Sequence, residues 1–353
     1  MASDANLPDA GRVRATVPLV MLAETDSVFD DFAPYVPAIN DAGVVVAQAA
    51  LRQGGSTVLE HAAAGLAHAP LVFRGRPAHV YSHPAVDAEG GIAVYCSLDA
   101  EHQAVAVRRE GHVLLLADTA GELLGIGPLG PTMNMHGTVA FRADLRRGGA
   151  GLFLGRPGRV TRVADTERFA AFHGLPLVTT DEAVVFRADQ KDGTQGIYMR
   201  SARALEIVVQ TGDAFESLGA FPSANDRGVV AFVATTRSGD DGVFVSEAGT
   251  LRRVQSQSDG FESFRGALVN NRGTVFFFGT PRGEGLGVFV ASPHREGRSV
   301  RLLGIGDVLD GANIVEFALN PVSINNLDQL AVRLRLSDGR QRIVRVDAVE
   351  HRA

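Results

Sequence analysis

The sequence has no tryptophan and a single cysteine, Cys96. One cysteine excludes an internal disulfide and a zinc site built from four thiolates. No apolar run approaches the roughly 20 residues that a membrane-spanning helix requires, so we expect no membrane partner. The first residues (MASDANLPDAGRVRAT) lack the apolar core of a secretory signal, and we therefore expect a cytoplasmic protein.

The chain also lacks an excess of basic residues. It carries 34 Lys and Arg against 40 Asp and Glu, a formal net charge of −6. Nucleic-acid-binding proteins normally present a basic stripe, so we expect no nucleic-acid partner. The hydrophobic fraction of 45% and the 40 glycines instead indicate a folded protein of short strands and tight turns.

Common catalytic signatures are absent as well. The segment Gly121–Gly130 is rich in glycine but lacks the Gly-Lys-Ser/Thr of a Walker loop, and neither Gly-x-Ser-x-Gly nor HExxH occurs. We therefore expect no cofactor and no bound metal. Eight of the ten histidines lie in the first half of the chain, which leaves a metal site as an open alternative.

What the sequence does contain is a phrase that returns seven times, Asn-x-x-Gly followed by an alternating apolar run. The clear copies are Asn134–Phe141, Asn225–Phe232 and Asn270–Phe277, and looser copies are Asn40–Ala47, Asp87–Val94, Thr180–Phe186 and Asn325–Val332. The glycine, or its equivalent, lies at positions 43, 90, 137, 183, 228, 273 and 328, so the steps are 47, 47, 46, 45, 45 and 55 residues. A strand-like repeat of this length predicts a β-propeller.

Each repeat has room for four short antiparallel strands, because Asn and Gly tolerate the positive φ of a tight hairpin turn. We therefore predict an all-β fold, a seven-bladed propeller of four-stranded blades. The last repeat has only the strands Leu330–Leu336 and Arg342–Val346 after its turn. We predict that Val17–Ala23 supplies the missing outer strand and closes the ring. The propeller then spans residues 16–350, after a flexible extension of residues 1–15.

The repeated motif resembles that of the bacterial tandem-repeat family named for its NxxGxxxF motif. The resemblance covers the chain from about Tyr35 to Val346. Its blade pattern is also similar to TolB-type propellers, in which an inner strand ends in an Asp-Gly turn. This resemblance implies the fold and gives almost no information about the chemistry of the protein. Members of the tandem-repeat family often carry a signal peptide and a surface anchor, and the sequence shows neither.

Propellers bind ligands at the mouth of the central channel, so the segments that enter the inner strands are the candidate site. The second blade departs most from the repeat, with His79, Tyr81 and His83 spaced two apart on a predicted strand. Residues two apart share a face, so we predict that these three side chains group and move protons. Nearby, Arg74 or Arg76 could hold a carboxylate in a bidentate grip. The alternative is a polar, partly exposed loop.

Equivalent positions on other blades extend this candidate ring. They are Tyr35, His173, Arg265 and Asn320, with Phe221 and Phe264 as an apolar wall. We assign catalytic roles to His79, Tyr81, His83 and Arg265, and substrate contacts to Tyr35, Arg74, Arg76, His173, Phe221, Phe264 and Asn320. A histidine would abstract a proton, a tyrosine would donate one, and an arginine would stabilise the oxyanion.

These residues lead to two competing hypotheses for the function. The first is an enzyme, a cyclase, lyase or isomerase of specialised metabolism, that acts on a small anionic or aromatic metabolite by acid–base chemistry. The second is a non-catalytic binding or scaffold propeller that recognises a protein or a carbohydrate. The sequence identifies neither the substrate nor the open mouth of the channel, and a homodimer remains an alternative to a monomer.

Overall fold

The chain forms seven antiparallel sheets arranged as a seven-bladed β-propeller, which confirms the predicted fold class. The computed structural model describes residues 17–291 and 296–348, together with the backbone of residues 12–14. No helix in this part of the chain is long and apolar enough to cross a membrane. Its helices are two short 3₁₀ turns, Gln257–Asp259 and Pro321–Ser323.

Each sheet is one blade, and its strands follow the chain from the inner edge outward. The first blade contains Phe29–Asp31, Ala38–Ile39, Val45–Leu51, Ser56–Ala62 and Gly65–Ala69. The second contains Leu71–Phe73, Arg76–Val80, Ala85–Val86, Ile92–Ser97, Gln103–Arg109 and His112–Asp118. The third contains Leu123–Ile126, Thr132–Met133, Val139–Leu145, Ala150–Arg156 and Arg159–Asp165. The fourth contains Phe169–Val178, Val184–Gln190, Gln195–Arg200 and Leu205–Gln210.

The remaining three blades include both strands from the N-terminal region. The fifth contains Phe215–Leu218, Ser223–Ala224, Val230–Thr236, Asp241–Glu247 and Thr250–Ser256. The sixth contains Phe261–Val269, Val275–Pro281, Gly287–Ala291, Ser299–Gly304 and, beside this last strand, Arg12–Arg14. The seventh contains Val308–Leu309, Ala312–Ala318, Gln329–Leu336, Gln341–Asp347 and, at its outer edge, Leu19–Glu24.

The ring closes as predicted, with a strand from the opposite end of the chain. Leu19–Glu24 runs antiparallel to Gln341–Asp347 and completes the seventh blade. Arg12–Arg14, which the sequence assigned to a loose extension, pairs in parallel with residues 299–301 of the sixth blade. The rest of that extension lies outside the described residues.

The core lies between the blades. Seven clusters of buried side chains each join two neighbouring blades, including the seventh and the first, as adjacent faces of a closed ring require. The phenylalanine of the repeat stacks on an aromatic ring of the third strand in four blades. The pairs are Phe141–Phe153, Phe186–Tyr198, Phe232–Phe244 and Phe277–Phe289, with centroids 5.2–5.9 Å apart. Such pairs add to the free energy gained from burial alone.

The asparagine of the repeat joins five of the seven turns to the next blade. Its Oδ1 accepts backbone N–H bonds within its own turn, and its Nδ2 donates to the carbonyl of the equivalent residue one blade further on. The five bonds are Asn40 to Asp87, Asn134 to Thr179, Asn225 to Asn270, Asn270 to Asn325 and Asn325 to Asn40, at 2.8–3.0 Å. The repeated residue is therefore a structural link around the ring.

The turn of the fourth blade lies one residue earlier than the sequence predicted. Glu182, with φ +64°, takes the position of the glycine, and its N–H bonds to the carbonyl of Thr179. The predicted marker, Ala183, is instead the first residue of the following apolar run. Thr179 replaces the usual asparagine by accepting the Ala183 N–H with its hydroxyl, at 3.0 Å.

Candidate functional site

Every inner strand leaves its pairing a few residues before its turn, and these breaks surround the channel. We call them the break ring: residues 32–37, 81–84, 127–131, 174–176, 219–222, 265 and 319–323. Neighbouring breaks bond to one another. Thr132 Oγ1 donates to the Pro176 carbonyl and Ser323 Oγ to the Pro37 carbonyl, both at 2.6 Å. These bonds link the third blade to the fourth and the seventh blade to the first, at the level of the break ring.

Next to these inner strands, the second strands carry a belt of polar residues, four of them buried and one, Arg142, partly exposed. Each lies eight positions after the first residue of its blade's turn, which is the asparagine of the repeat or its equivalent. An apolar side chain is expected at this position. We call them the polar belt: Gln48, Tyr95, Arg142, Arg187 and Arg333. Each has one buried polar atom with no hydrogen-bond partner within the described residues. Native proteins satisfy most buried polar groups, and the belt contains five of the ten exceptions in the described part of the chain, so we take it as part of the candidate site.

The arginines of the belt reach the break ring. Arg333 Nε donates to the Tyr35 carbonyl at 3.0 Å, and Arg142 Nη1 donates to the Gly127 carbonyl at 3.0 Å. Arg142 also pairs with Asp144 at 3.2 Å. Arg333 pairs with Glu316 at 2.8 Å, and Arg335 contacts the same carboxylate. Although burial raises the pKa of Glu316, these two arginines outweigh burial and hold that pKa below its usual value.

In the fourth blade one hydrogen-bonded chain runs from the belt to His173, the residue directly before the break. Arg187 pairs with Asp189, and Asp189 Oδ2 contacts His173 Nε2 at 2.8 Å. Burial raises the pKa of Asp189, but the hydrogen bonds from Arg187 and His173 lower it further than burial raises it. Asp189 is therefore ionised near neutral pH and orients the imidazole. Nδ1 of His173, on a side chain that is 36% exposed, has no hydrogen-bond partner within the described residues.

One family model matches most of the chain. The model described as "Family of unknown function (DUF7453)" matches residues 78–342, about three quarters of the chain. The chain belongs to this family. No curated protein matches the DUF7453 chain.

Solved structures resemble the DUF7453 propeller in fold. An oligogalacturonate lyase in complex with manganese has a TM-score of 0.60 at 10% identity, over 95% of this chain and 94% of the other. The oligogalacturonate lyase of Vibrio parahaemolyticus has a TM-score of 0.57 at 11% identity, over 96% and 100%. The acylaminoacyl peptidase of Pyrococcus horikoshii has a TM-score of 0.55 at 11% identity, over 89% and 52%. At such identities the similarity shows the fold alone.

The DUF7453 structure brings together some of the residues predicted from the sequence. Tyr35 and Tyr81 both lie in the break ring and interact electrostatically, and burial raises the pKa of each. Tyr81 donates its hydroxyl hydrogen to the Ile126 carbonyl at 3.2 Å. His173 directly precedes the break of the fourth blade, and Phe221 lies in the adjacent break, where Gly174 packs against Ala220 and Phe221. Arg265 is exposed at the break of the sixth blade and forms no ion pair within the described residues.

The three predicted proton-transfer residues of the second blade do not share one face. His79 is exposed and pairs with Ser97, whereas His83 is buried and only 3% exposed. The inner strand breaks between Val80 and Ala85, so the two-residue alternation on which the prediction depended ends there. His83 Nε2 bonds to the Pro131 carbonyl at 3.2 Å. Because a carbonyl can only accept, this nitrogen carries the hydrogen, and the contact is structural.

Other predicted residues have structural positions too. Phe264 is buried among Phe261 and Phe277 in the core between the fifth and sixth blades and does not form a pocket wall. Asn320 caps the 3₁₀ turn Pro321–Ser323 by accepting the Val322 N–H at 3.0 Å. Arg74 and Arg76 line a different cavity, at the outer part of the second blade. Burial raises the pKa of the Cys96 thiol to about 12, so this cysteine is an inert core residue.

The opposite mouth of the channel is formed by the turns. It encloses about 230 Å³ and is lined by turn residues such as Asp41, Asp226, Asn271 and Asn326. Their side chains bond to the backbone of the neighbouring turn, so their polar atoms are already used. Within residues 17–291 and 296–348, no three His, Cys, Asp or Glu side chains form a group that could hold a metal ion.

The burial of His83 leads to a prediction about acid stability. Burial lowers the pKa of His83 to about 4, against about 6.5 in an unfolded chain. The unfolded state therefore binds the proton more readily, so stability is complete above pH 6.5 and is lost as the pH falls toward 4. The loss at pH 4 is on the order of 3 kcal/mol.

His83→Gln should remove most of this pH dependence, because a glutamine amide can donate to the Pro131 carbonyl without titrating. The measurement is urea unfolding of both proteins at pH 7 and pH 4.5. An equal loss of stability in the two proteins on acidification would show that other groups control the acid response.

Proposed function

We propose that this protein binds a small organic anion in the channel at the break ring and acts on it by proton transfer, as a lyase or an isomerase does. A cyclase is compatible with the same groups, and we place the activity in the cytoplasm. We further propose that the seven turns derive from the NxxGxxxF tandem repeat. The inter-blade bonds of the repeated asparagine support that origin, since they explain why the residue recurs.

The observation that carries this proposal is the charge of the channel wall. The belt and the break ring hold four arginines, a fifth arginine contacts the same carboxylate as Arg333, and three carboxylates accompany these five. These residues are Arg142, Arg187, Arg265, Arg333, Arg335, Asp144, Asp189 and Glu316. The wall is therefore positive by two charges in a chain whose net charge is −6. A positive, partly buried cleft concentrates anions and holds carboxylates in bidentate pairs.

The proton chemistry falls to His173 and Tyr35. Asp189 accepts from Nε2 of His173, so the neutral ring presents Nδ1 as a base, as in other Asp–His pairs. Nδ1 would take a proton from the carbon next to the substrate carboxylate. Tyr35 stays protonated at neutral pH because burial raises its pKa, and it would give a proton to the departing or adjacent atom. Arg265 would neutralise the oxyanion that forms between the two steps.

The proposal is tested first by ligand binding. A thermal-shift screen would use aliphatic dicarboxylates, aromatic carboxylates and uronates, the last because two structural neighbours are oligogalacturonate lyases. We expect at least one compound to raise the melting temperature, since a ligand that binds only the folded state stabilises it by mass action. In Arg265→Ala the same compound should bind roughly tenfold more weakly, because one charge-assisted hydrogen bond is lost.

The control is Arg203→Ala, which removes another exposed arginine from the tip of a turn in the fourth blade. Both variants should melt like the wild type without ligand. If no compound shifts the wild type, or if Arg265→Ala keeps the full shift, the channel is not the anion site. The non-catalytic scaffold that recognises a protein or a carbohydrate would then be the better explanation.

A further inference from the structure

A second cavity lies at the outer part of the second blade, away from the break ring. The chain enters this blade through a hairpin in which Leu71–Phe73 pairs with Arg76–Val80. The hairpin and the outer strand His112–Asp118 enclose about 460 Å³, which we call the rim cavity. Its volume is within the range of small-molecule sites. It is lined by Phe73, Arg74, Arg76, His102, Leu115 and Asp118, among others.

The rim cavity presents two cationic groups at the hairpin. Arg74 and Arg76 are exposed, and neither forms an ion pair within the described residues. The guanidinium of Arg74 lies over the Phe73 ring, 5.1 Å from its centroid, which limits the orientations of the side chain. Two arginines that face one cavity can bind a carboxylate through parallel N–H bonds.

The other walls add an acceptor and an apolar surface. Asp118 Oδ1 accepts the Ala120 N–H at 2.9 Å, and no bond within the described residues uses its Oδ2. Asp99, in contrast, is occupied by His102 at 2.8 Å and by its own turn. Leu98 and Leu115 supply apolar surface between these polar groups. The cavity thus combines a carboxylate grip, an acceptor for a cationic donor and an apolar wall.

We infer that the rim cavity binds a free amino acid with an apolar side chain. Its carboxylate lies between Arg74 and Arg76, its ammonium group donates to Asp118, and its side chain packs on Leu98 and Leu115. A ligand that has only the carboxylate, only the ammonium group or only the apolar side chain makes only one of these three sets of contacts. This site is independent of the proposed channel activity, because the two sites share no residue.

The test is calorimetric titration of the full-length protein with L-leucine and L-phenylalanine. Each titration is repeated with the N-acetyl amino acid, which lacks the cation, and with the amino acid amide, which lacks the anion. We expect binding of the free amino acid and roughly tenfold weaker binding of both derivatives, because each loses one charge-assisted contact. Arg265→Ala should leave this binding unchanged.

Two variants assign the contacts without harming the fold. Arg74 and Gly75 have φ of +50° and +77° in a two-residue turn, a position where Asn-Gly is preferred, so Arg74→Asn keeps the turn and removes the charge. It should weaken binding roughly tenfold. Asp118→Asn should weaken the binding of the free amino acid and leave the binding of the N-acetyl derivative unchanged. Ala248→Asn places an asparagine at the equivalent position of a similar turn in the fifth blade, where φ is +48°, and should have no effect.

The inference is overturned by either of two results. One is that neither amino acid binds at 10 mM, roughly the weakest affinity that titration can detect. The other is that Arg74→Asn and Asp118→Asn bind like the wild type, which would place any binding elsewhere.

Discussion

A chain that begins at residue 25 is expected to melt at least about 7 °C below the full-length protein, or to aggregate. It lacks the strand Leu19–Glu24, whose Leu22 and Ala23 are buried in the cluster between the seventh and first blades. It also leaves Arg342, which is 4% exposed, without the carboxylate of Glu24. Together these losses are on the order of 5 kcal/mol or more.

The unpaired edge adds to this effect. Gln341–Asp347 would become the outer strand, with a row of free N–H and C=O groups that can pair with another chain. A loss of about 5 kcal/mol corresponds to roughly 7 °C for a domain of about 330 residues. Scanning fluorimetry and size-exclusion chromatography measure the two outcomes.

The matched control is a chain that begins at residue 12, which keeps both N-terminal strands and should behave like the full-length protein. Arg342→Met in the full-length chain removes the ion pair with Glu24 and keeps the strand. It therefore separates the contribution of the ion pair to stability from that of the strand. If the chain from residue 25 melts within about 2 °C of the full-length protein, the terminal strand does not hold the ring together.

The closure was predictable because it depends on counting. Seven turns at a spacing of 45–55 residues determine the blade number, and the last repeat is visibly one strand short. Side-chain hydrogen bonds were predictable where a residue type has one common structural role. An example is the asparagine that closes its own turn with Oδ1, as Asn270 does with the Thr274 N–H at 3.0 Å.

The breaks in the inner strands were not predictable from alternation. The sequence His79-x-Tyr81-x-His83 suggests one continuous strand, but its pairing stops at Val80 and resumes at Ala85. Residues 81–84 between these two pairings belong to no regular ladder, so the two-residue alternation does not determine which way their side chains point. The prediction therefore identified the correct segment of the blade and assigned the wrong orientation to His83.

The polar belt was missed although the sequence contains a signal for it. Phe141-Arg142-Ala143-Asp144 and Phe186-Arg187-Ala188-Asp189 repeat the same four letters, and an arginine interrupts each apolar run. An arginine in a strand that otherwise reads as buried needs a partner or a function. Examining the second strands for such interruptions would have identified Arg142, Arg187 and Arg333.

The largest effect on activity is expected from His173→Gln. Removal of a general base typically lowers the rate by a factor of about 100 to 10,000, and we expect kcat to fall by at least about 100-fold. Glutamine can still donate to Asp189, so ligand affinity should change by less than about threefold. The measurement is turnover of the compound found in the binding screen, with binding followed separately by calorimetry.

His79→Gln is the matched comparison, because it changes an exposed histidine of the second blade that lies outside the break ring. It should leave turnover unchanged. If His79→Gln abolishes turnover and His173→Gln does not, the second blade carries the base. The charged chain in the fourth blade would then be a structural device of the channel wall.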